Sequence, residues 1–160
     1  MAAPNITATQ RYFAPGVTRI VFAASVSTIT SVSRSEINAG TDLSNEVVEV
    51  DGWSVNANLL DAPDLGHKFN SKVSGRTEAD NSSITMYQSK TTSDARTLLP
   101  RGTTGFILIM WGGDVSGRRM DVYPVECASV GKAIPDNKAS DMRFMFAITS
   151  EPAEDIVIPA

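Results

Sequence analysis

Through most of this chain apolar and polar residues alternate with a period of two, the signature of half-buried β-strands. One stretch breaks the rule. From Phe106 to Trp111 the segment GFILIMWGG runs apolar without a polar interruption. Phe106, Leu108 and Met110 fall on one face of such a strand, and Ile107, Ile109 and Trp111 on the other. A strand that is apolar on both faces must be covered on both, so 105–111 is expected to be a central strand. A second sheet would supply one cover and a short helix just before the strand the other. The run is far shorter than the ~20 residues a membrane-spanning helix needs.

Around it the alternation predicts further strands at 19–30, 83–89, 120–130 and 140–150. Ile84, Met86 and Gln88 share a face of the second, and Met142, Phe144, Phe146 and Ile148 point inward from the last. Pro124 confines its strand to an edge or a bulge. GGDVSGRR (112–119) reads as a hairpin loop. In 45–61 the apolar phase flips at Asp51-Gly52, from Val48 and Val50 to Trp53, Val55, Ala57 and Leu59. A flip marks a turn or a bulge, and a bulge bending a long strand is favoured. Beyond it, Ser54, Asn56 and Asn58 form a polar, uncharged face opposite a buried one.

Helical signals are short. Ser33 with Glu36 three residues on is a capping box, and Gly40 stops that turn. In TTSDARTLLP (91–100), Thr92 or Ser93 caps a helix with Asp94 in its first turn. Ala95, Leu98 and Leu99 form its stripe, and Pro100 ends it. The polar stretch 62–82 is long for a plain connection, with one possible short strand at 69–73, and loops of that size usually carry function. The tail 151–160 holds Pro152 and Pro159 and is expected to be extended. Its Ile156, Val157 and Ile158 do not bury easily in their own sheet, so they suit a neighbouring subunit. The predicted fold is mainly β: a two-sheet β-sandwich or partly closed barrel with one short flanking α-helix. It forms a single domain over 1–160, with an N-terminal arm (1–17), a long loop (62–82) and a C-terminal arm (151–160).

Composition narrows the function. The 160 residues suit one domain, and 42 % hydrophobic content suffices for a core without metals or disulfides. Fourteen basic against eighteen acidic residues leave a net charge of −4, and the pI is 4.9. That opposes a protein that grips nucleic acid through Lys and Arg. It is compatible with one that lets nucleic acid pass. The single cysteine, Cys127, excludes an internal disulfide and reads as a small buried apolar residue. The opening MAAPNITATQRYFAPG has neither the basic nor the apolar region of a signal peptide, so the expectation is a soluble, unexported chain.

Candidate chemistry is sparse. His67 is the sole histidine, and no ligand spacing joins it to Cys127. No serine lies in a nucleophile elbow. GGDVSGRR lacks the Lys-Ser/Thr of a phosphate loop, and the acceptor motifs at 5–7 and 81–83 are chance matches without export. No catalytic residue, metal or cofactor is expected. The residues describe a protein that works through its surface, by association with its own copies. A monomeric β-sandwich ligand-binding module is the contrasting class. It would need an exposed aromatic platform, whereas Trp53 and Trp111 occupy core-like strand positions.

Several segments together resemble a known family. SRSEINAGTDLSNEVVEVDGWSV, APDLGHKFNSKVSGRTEADNSSITMY, DARTLLPRGTTGFILIMWGGDVSGRRMDVYPVECASVGK and RFMFAITSEPAEDIVIPA are similar to major tail tube proteins of long-tailed, non-contractile bacteriophages. The likeness covers roughly 30–160. It implies hexameric rings of helix-flanked β-sandwich subunits that stack into a hollow tube. The inner sheets would line a channel for the genome, with loops and arms tying ring to ring. The implied partners are other copies of the chain, tape-measure, tail-terminator and distal tail proteins, and DNA in transit, but no membrane. The implied place is the virion tail, and the host cytoplasm during assembly. The inner tube of a contractile tail or injection device would share this architecture.

Under this resemblance Ser54, Asn56 and Asn58 are lumen-facing candidates. Asp64, His67, Lys68, Phe69, Lys72 and Arg76 are ring-stacking candidates, and Tyr12, Phe13, Ile156, Val157 and Ile158 inter-subunit arm candidates. Phe69, the one aromatic of its polar region, either pins the loop to its own sheet or anchors it in the ring below.

Overall fold

Strand β7 (Thr104–Met110) carries the apolar run, and the fold is built around it. The computed structural model describes residue 3 and residues 6–91 and 94–160. Thr92 and Ser93, the expected helix caps, lie outside the described residues. The other elements are β1 (Arg19–Ala23), α1 (Arg34–Ala39), β2 (Thr41–Asp42), β3 (Val47–Asp51), β4 (Val55–Ala62), β5 (Ser71–Ala79), β6 (Ser82–Tyr87), α2 (Ala95–Leu98), β8 (Arg119–Lys132), β9 (Asp141–Ile148) and β10 (Ala153–Val157). The fold is mainly β with two sheets. Eight strands form one sheet in the order β2-β1-β7-β8-β9-β6-β3, with β10 added on β8, and β4 pairs with β5 in a separate two-stranded sheet.

The large sheet curls on itself without closing. β1 and β3 stand five strands apart in the order, so in a flat sheet they would be roughly 24 Å apart. Yet Ile20 of β1 belongs to the same core cluster against which Val47 and Val50 of β3 pack. Ile84, Met86, Ile107, Ile109, Met142 and Phe144 fill that inside and are wholly buried. These are the alternate residues of β6, β7 and β9 that the period of two marked.

The outer face of β1, β7 and β8 has its own cluster. Val21, Leu108, Met110, Met120 and Val122 pack there beneath Val32, Ile37 of α1 and Ile158. The two covers of β7 therefore differ from those expected. α2 contributes Ala95 and Leu99 to the inner cluster, and the chain between β1 and β2, α1 included, covers the outside. α1 is capped as its sequence demands. Glu36 N–H donates to Ser33 Oγ at 3.3 Å, and Ser33 N–H donates to Glu36 Oε2 at 2.8 Å. A Cβ on Gly40 would lie 2.5 Å from Val21 Cγ1, so the helix ends on a residue without a side chain where it meets β1. α2 is a single turn capped by Asp94. Arg96, bonded to the Asp94 side chain, holds that carboxyl below its ordinary range.

Four other expectations change. β1 ends at Ala23 rather than 30. Pro124 sits in an interior strand, because β8 changes neighbours beside it. β10 pairs with Ala153 opposite Val122, and β9 begins with Ile148 opposite Val125. At this junction the Pro124 carbonyl accepts from Thr149 N–H at 2.9 Å, and a missing N–H costs no ladder bond. The C-terminal tail buries Ile158 completely and Ile156 in part within its own chain, leaving Val157 60 % exposed. Trp111 lies beyond the end of β7, 41 % exposed, and its Nε1 donates to Asp121 Oδ2 at 2.5 Å.

Candidate assembly surfaces

The long stretch 62–82 is largely a strand. β5 runs antiparallel to β4 with Val55 opposite Ala79 and Ala62 opposite Ser71. The result is a hairpin that continues the β3–β6 ribbon, where Asp51 faces Ser83, out of the large sheet. The phase flip at Asp51-Gly52 marks the bend. Gly52 has φ 79°, and a Cβ there would fall 2.1 Å from the Asn81 carbonyl oxygen. Only glycine fits, for both reasons. The bend is bolted to the core by Trp53. Its ring meets Tyr123 edge-on at 5.0 Å and Phe146 at 5.7 Å. Its Nε1 donates to the Ser83 carbonyl at 3.1 Å, and its own carbonyl accepts from the Tyr123 hydroxyl at 3.2 Å. Burial pushes that phenol above its ordinary range, with the nearby Asp121 and Glu154 charges adding to the effect.

Beyond this anchor and the partly buried Val55, the hairpin's large apolar side chains are uncovered among the described residues. The expected buried face of 53–59 ends at Trp53. Leu59 is 59 % exposed, and Leu60 and Val73, which oppose each other across the pair, are each 51 % exposed. Ser54 Oγ and Asn56 Nδ2 both donate to Asp80 Oδ2, at 2.5 and 2.8 Å. Asn58 is exposed and shares its strand face with Asn56 and Leu60. Two of the three lumen candidates, Ser54 and Asn56, are thus held on one carboxylate, Asp80, and Asn58 extends the strip without a bond to it. The strip turns apolar toward the tip.

Asp64, His67, Lys68 and Phe69 form the turn at that tip, Lys72 follows it at the start of β5, and Arg76 lies in mid-hairpin between the residues paired with Leu59 and Ala57. Asp64 Oδ1 accepts from Gly66 N–H at 2.8 Å and lies 2.8 Å from His67 Nδ1, shaping the turn. Lys72 Nζ pairs with Asp61 Oδ1 at 2.7 Å across the strands. Lys68 and Arg76 are exposed. Phe69 is 80 % exposed, so it does not pin the turn to its own sheet, and Leu65 of the same turn is fully exposed. The sequence pattern placed Leu59 on a buried face, where it is exposed, and gave no sign of Leu60, Leu65, Val73 or Asp80. Their residue types carry no mark of a missing layer.

The N-terminal arm is also uncovered. Ile6, Tyr12 and Phe13 are 95, 54 and 80 % exposed. The arm joins β1 through a turn in which Val17 and Thr18 N–H both donate to the Ala14 carbonyl. Tyr12 stands at the lip of an apolar groove of about 350 Å³ along the seam of the curled sheet, whose walls include Ile20, Val47, Val50, Ile109 and Trp111. Among the arm candidates, Tyr12, Phe13 and Val157 are on the surface, and Ile158 belongs to the subunit's own core.

Among the described residues no helix is long and apolar enough to cross a membrane. A family model described as "Phage tail tube protein" matches residues 6–160. No curated protein sequence matches the chain. Solved structures share its fold. A chain from the virion of a native gene transfer agent particle has 13 % identity and a TM-score of 0.52, over 72 % of this chain and 88 % of that one. A chain from the six-fold symmetrised cryo-EM structure of the anti-feeding prophage baseplate has 8 % identity and a TM-score of 0.56, over 95 % of each. A chain from the tail of an empty gene transfer agent particle, obtained by helical refinement with C6 symmetry, has 12 % identity and a TM-score of 0.53, over 86 % and 93 %.

Proposed function

The chain belongs to the phage tail tube protein family, a structural protein of the virion tail, and from that premise we propose how its surfaces build the tube. Six copies form a ring, rings stack, and the β4–β5 hairpin makes the contact from one ring to the next. The uncovered hairpin carries this reading. An isolated two-stranded hairpin is marginal in water, and this one exposes five large apolar side chains, Leu59, Leu60, Leu65, Phe69 and Val73, each more than half. Covering them contributes roughly 5–10 kcal/mol before ordering costs. That is enough to favour assembly, and the free subunit has no way to collect it.

The strip of Ser54, Asn56 and Asn58 is the proposed lumen wall. Hydroxyl and amide groups held on a carboxylate offer phosphates no ion pair, and each ion pair avoided is counterion release that does not anchor the DNA. Subunits of net charge −4 give the ring a negative field, which keeps a passing duplex off the wall. DNA is therefore a transient, weakly held partner. Tape-measure, tail-terminator and distal tail proteins would meet the tube inside and at its two ends. The N-terminal arm, residues 1–17, adds a further inter-subunit tie through Tyr12 and Phe13, and Val157 does so from the C-terminal arm. A monomeric ligand-binding module would also leave Trp111 exposed, but one half-exposed tryptophan bonded to Asp121 makes no aromatic platform.

Replacing residues 56–78 by an Asn-Gly turn tests the central claim. The shortened subunit should keep its thermal transition yet form no tubes by electron microscopy under conditions where the full chain does. Tubes of normal length from the shortened subunit would overturn the proposal.

A further inference from the structure

We infer that a groove at the far end of the β3–β6 pair is the socket for the hairpin tip of a second copy of this chain. The inference rests on the stacking role given to the hairpin above and adds its receptor. The hairpin leaves the sheet where Asp51 faces Ser83. At the opposite end of the same pair Val47 faces Met86. The span from Ser82 to Tyr87 is roughly 17 Å at strand spacing. Just past that opposite end a groove of about 480 Å³ opens between the β2–β3 turn and α2, lined among others by Asp42, Leu43, Glu46, Ser89, Ala95 and Leu98.

Its floor is apolar, with Leu43 and Ala95 buried, and Leu98 packing against the core. Its rim carries two exposed carboxylates, Asp42, which lies 3.9 Å from Arg19 Nη1, and Glu46. The tip offers the complement: Leu65 and Phe69, exposed and apolar, with the exposed Lys68 next to Phe69 in the sequence. The chain's own tip cannot occupy this groove, because the hairpin projects from the other end of the strand pair. A second copy placed end to end can. A knob and a socket at opposite ends of one molecule make a heterologous interface that does not close, so it repeats copy after copy along one axis. That is the geometry of a filament, and the acidic rim selects the orientation in which Lys68 arrives first.

Engineered thiols read the contact directly. Cys127, the native thiol, is buried and contributes little background. Tubes of the Glu46→Cys, Phe69→Cys double variant, oxidised and run on a non-reducing gel, should give a ladder of covalent multimers. The control pairs Phe69→Cys with Val115→Cys, which lies in the exposed β7–β8 turn. It should give about tenfold less ladder, since a disulfide tolerates only a few ångströms between Cβ atoms. Tubes that form without the 46–69 ladder overturn the socket while leaving the stacking hairpin standing. Tubes that form equally well from the hairpin-shortened subunit remove the stacking role itself. If the double variant does not assemble, a cryo-EM map of the wild-type tube decides: Phe69 seated against residues 41–46 and 95–98 supports the socket, and Phe69 seated elsewhere overturns it.

Discussion

β7 and β4 are strands of nearly equal length, seven and eight residues, and both carry adjacent aliphatic side chains. In β7, Ile107, Leu108, Ile109 and Met110 are completely buried, while in β4 Leu59 and Leu60 are more than half exposed. The local sequence does not explain the difference. β7 has a strand on either side, the inner core on one face and the α1 segment on the other. β4 pairs with β5 alone among the described strands, and its residues 56–61 are exposed. An aliphatic side chain in a strand is a claim on a neighbour. The curled sheet meets its claims within one chain, and under the proposed stacking role the hairpin leaves its claims to another. In a tube protein the proposed roles divide the labour: one region would make the subunit stable before assembly, and the other would give assembly its driving force.

The sharpest way to break that division is to damage the sheet. Phe144→Ala empties a wholly buried site in the inner cluster and should cost about 3–5 kcal/mol of subunit stability. The expected loss of thermal transition temperature is ~10 °C. A loss below ~1 kcal/mol would mean that the inside of the curl is not the stabilising core. Next comes the joint between the two regions. Gly52→Ala forces a Cβ against the Asn81 carbonyl at a positive φ and should cost about 2 kcal/mol. The hairpin should also lose its fixed angle, which amide exchange of residues 55–62 and 71–79 would report as faster opening. An unchanged denaturation midpoint would show that the bend is not set by this glycine.

The hairpin tip should behave in the opposite way. Phe69→Ala removes an exposed ring, so the isolated subunit should change by less than ~0.5 kcal/mol. Assembly is where the loss should appear, as a raised critical concentration for tube formation by light scattering. A stability loss of core size with assembly intact would invert the comparison.

How far the sequence could be read follows the same division. The two-faced run of β7, the alternation in β6 and β9 and the Ser33–Glu36 box are local patterns, and each element lies where its pattern places it. Pro124 in mid-sheet was not legible, since its tolerance depends on β9 giving way to β10 beside it. Ile158 was misjudged for a related reason: its cover comes from α1 and β8, distant in sequence. The hairpin was hardest. Val55, Ala57 and Leu59 have the spacing of a buried face, yet among the described residues nothing buries Ala57 or Leu59. Asp80 carries the polar strip, but an acidic residue near a turn is too common to stand out.

The smallest effect concerns the cover of the outer face. Glu36 closes the capping box of α1. Hydrogen bonds from the Ser33 hydroxyl and N–H, then from Ser27 N–H, hold its carboxyl at about 2 against a usual 4.5. A group whose value is lower in the folded state stabilises that state while ionised. The contribution is therefore fully present above about pH 4.5 and disappears as the pH falls through about 2. Protonation leaves the Ser33 and Ser27 donors facing a neutral acid, and α1, with Ile37 beneath it on the outer cluster, should loosen first. The β4–β5 hairpin has no such link to this carboxyl and should keep its exchange rates relative to the rest. Amide exchange across this acid range, wild type beside Glu36→Gln, separates the two regions. The wild type should lose protection in Arg34–Ala39 as the pH falls, whereas the Gln variant, which has no proton to gain, should start weaker and stay flat. If both proteins lost protection in parallel, the acid response of this face would have to come from other carboxylates, and the cap would no longer be what holds the outer layer down.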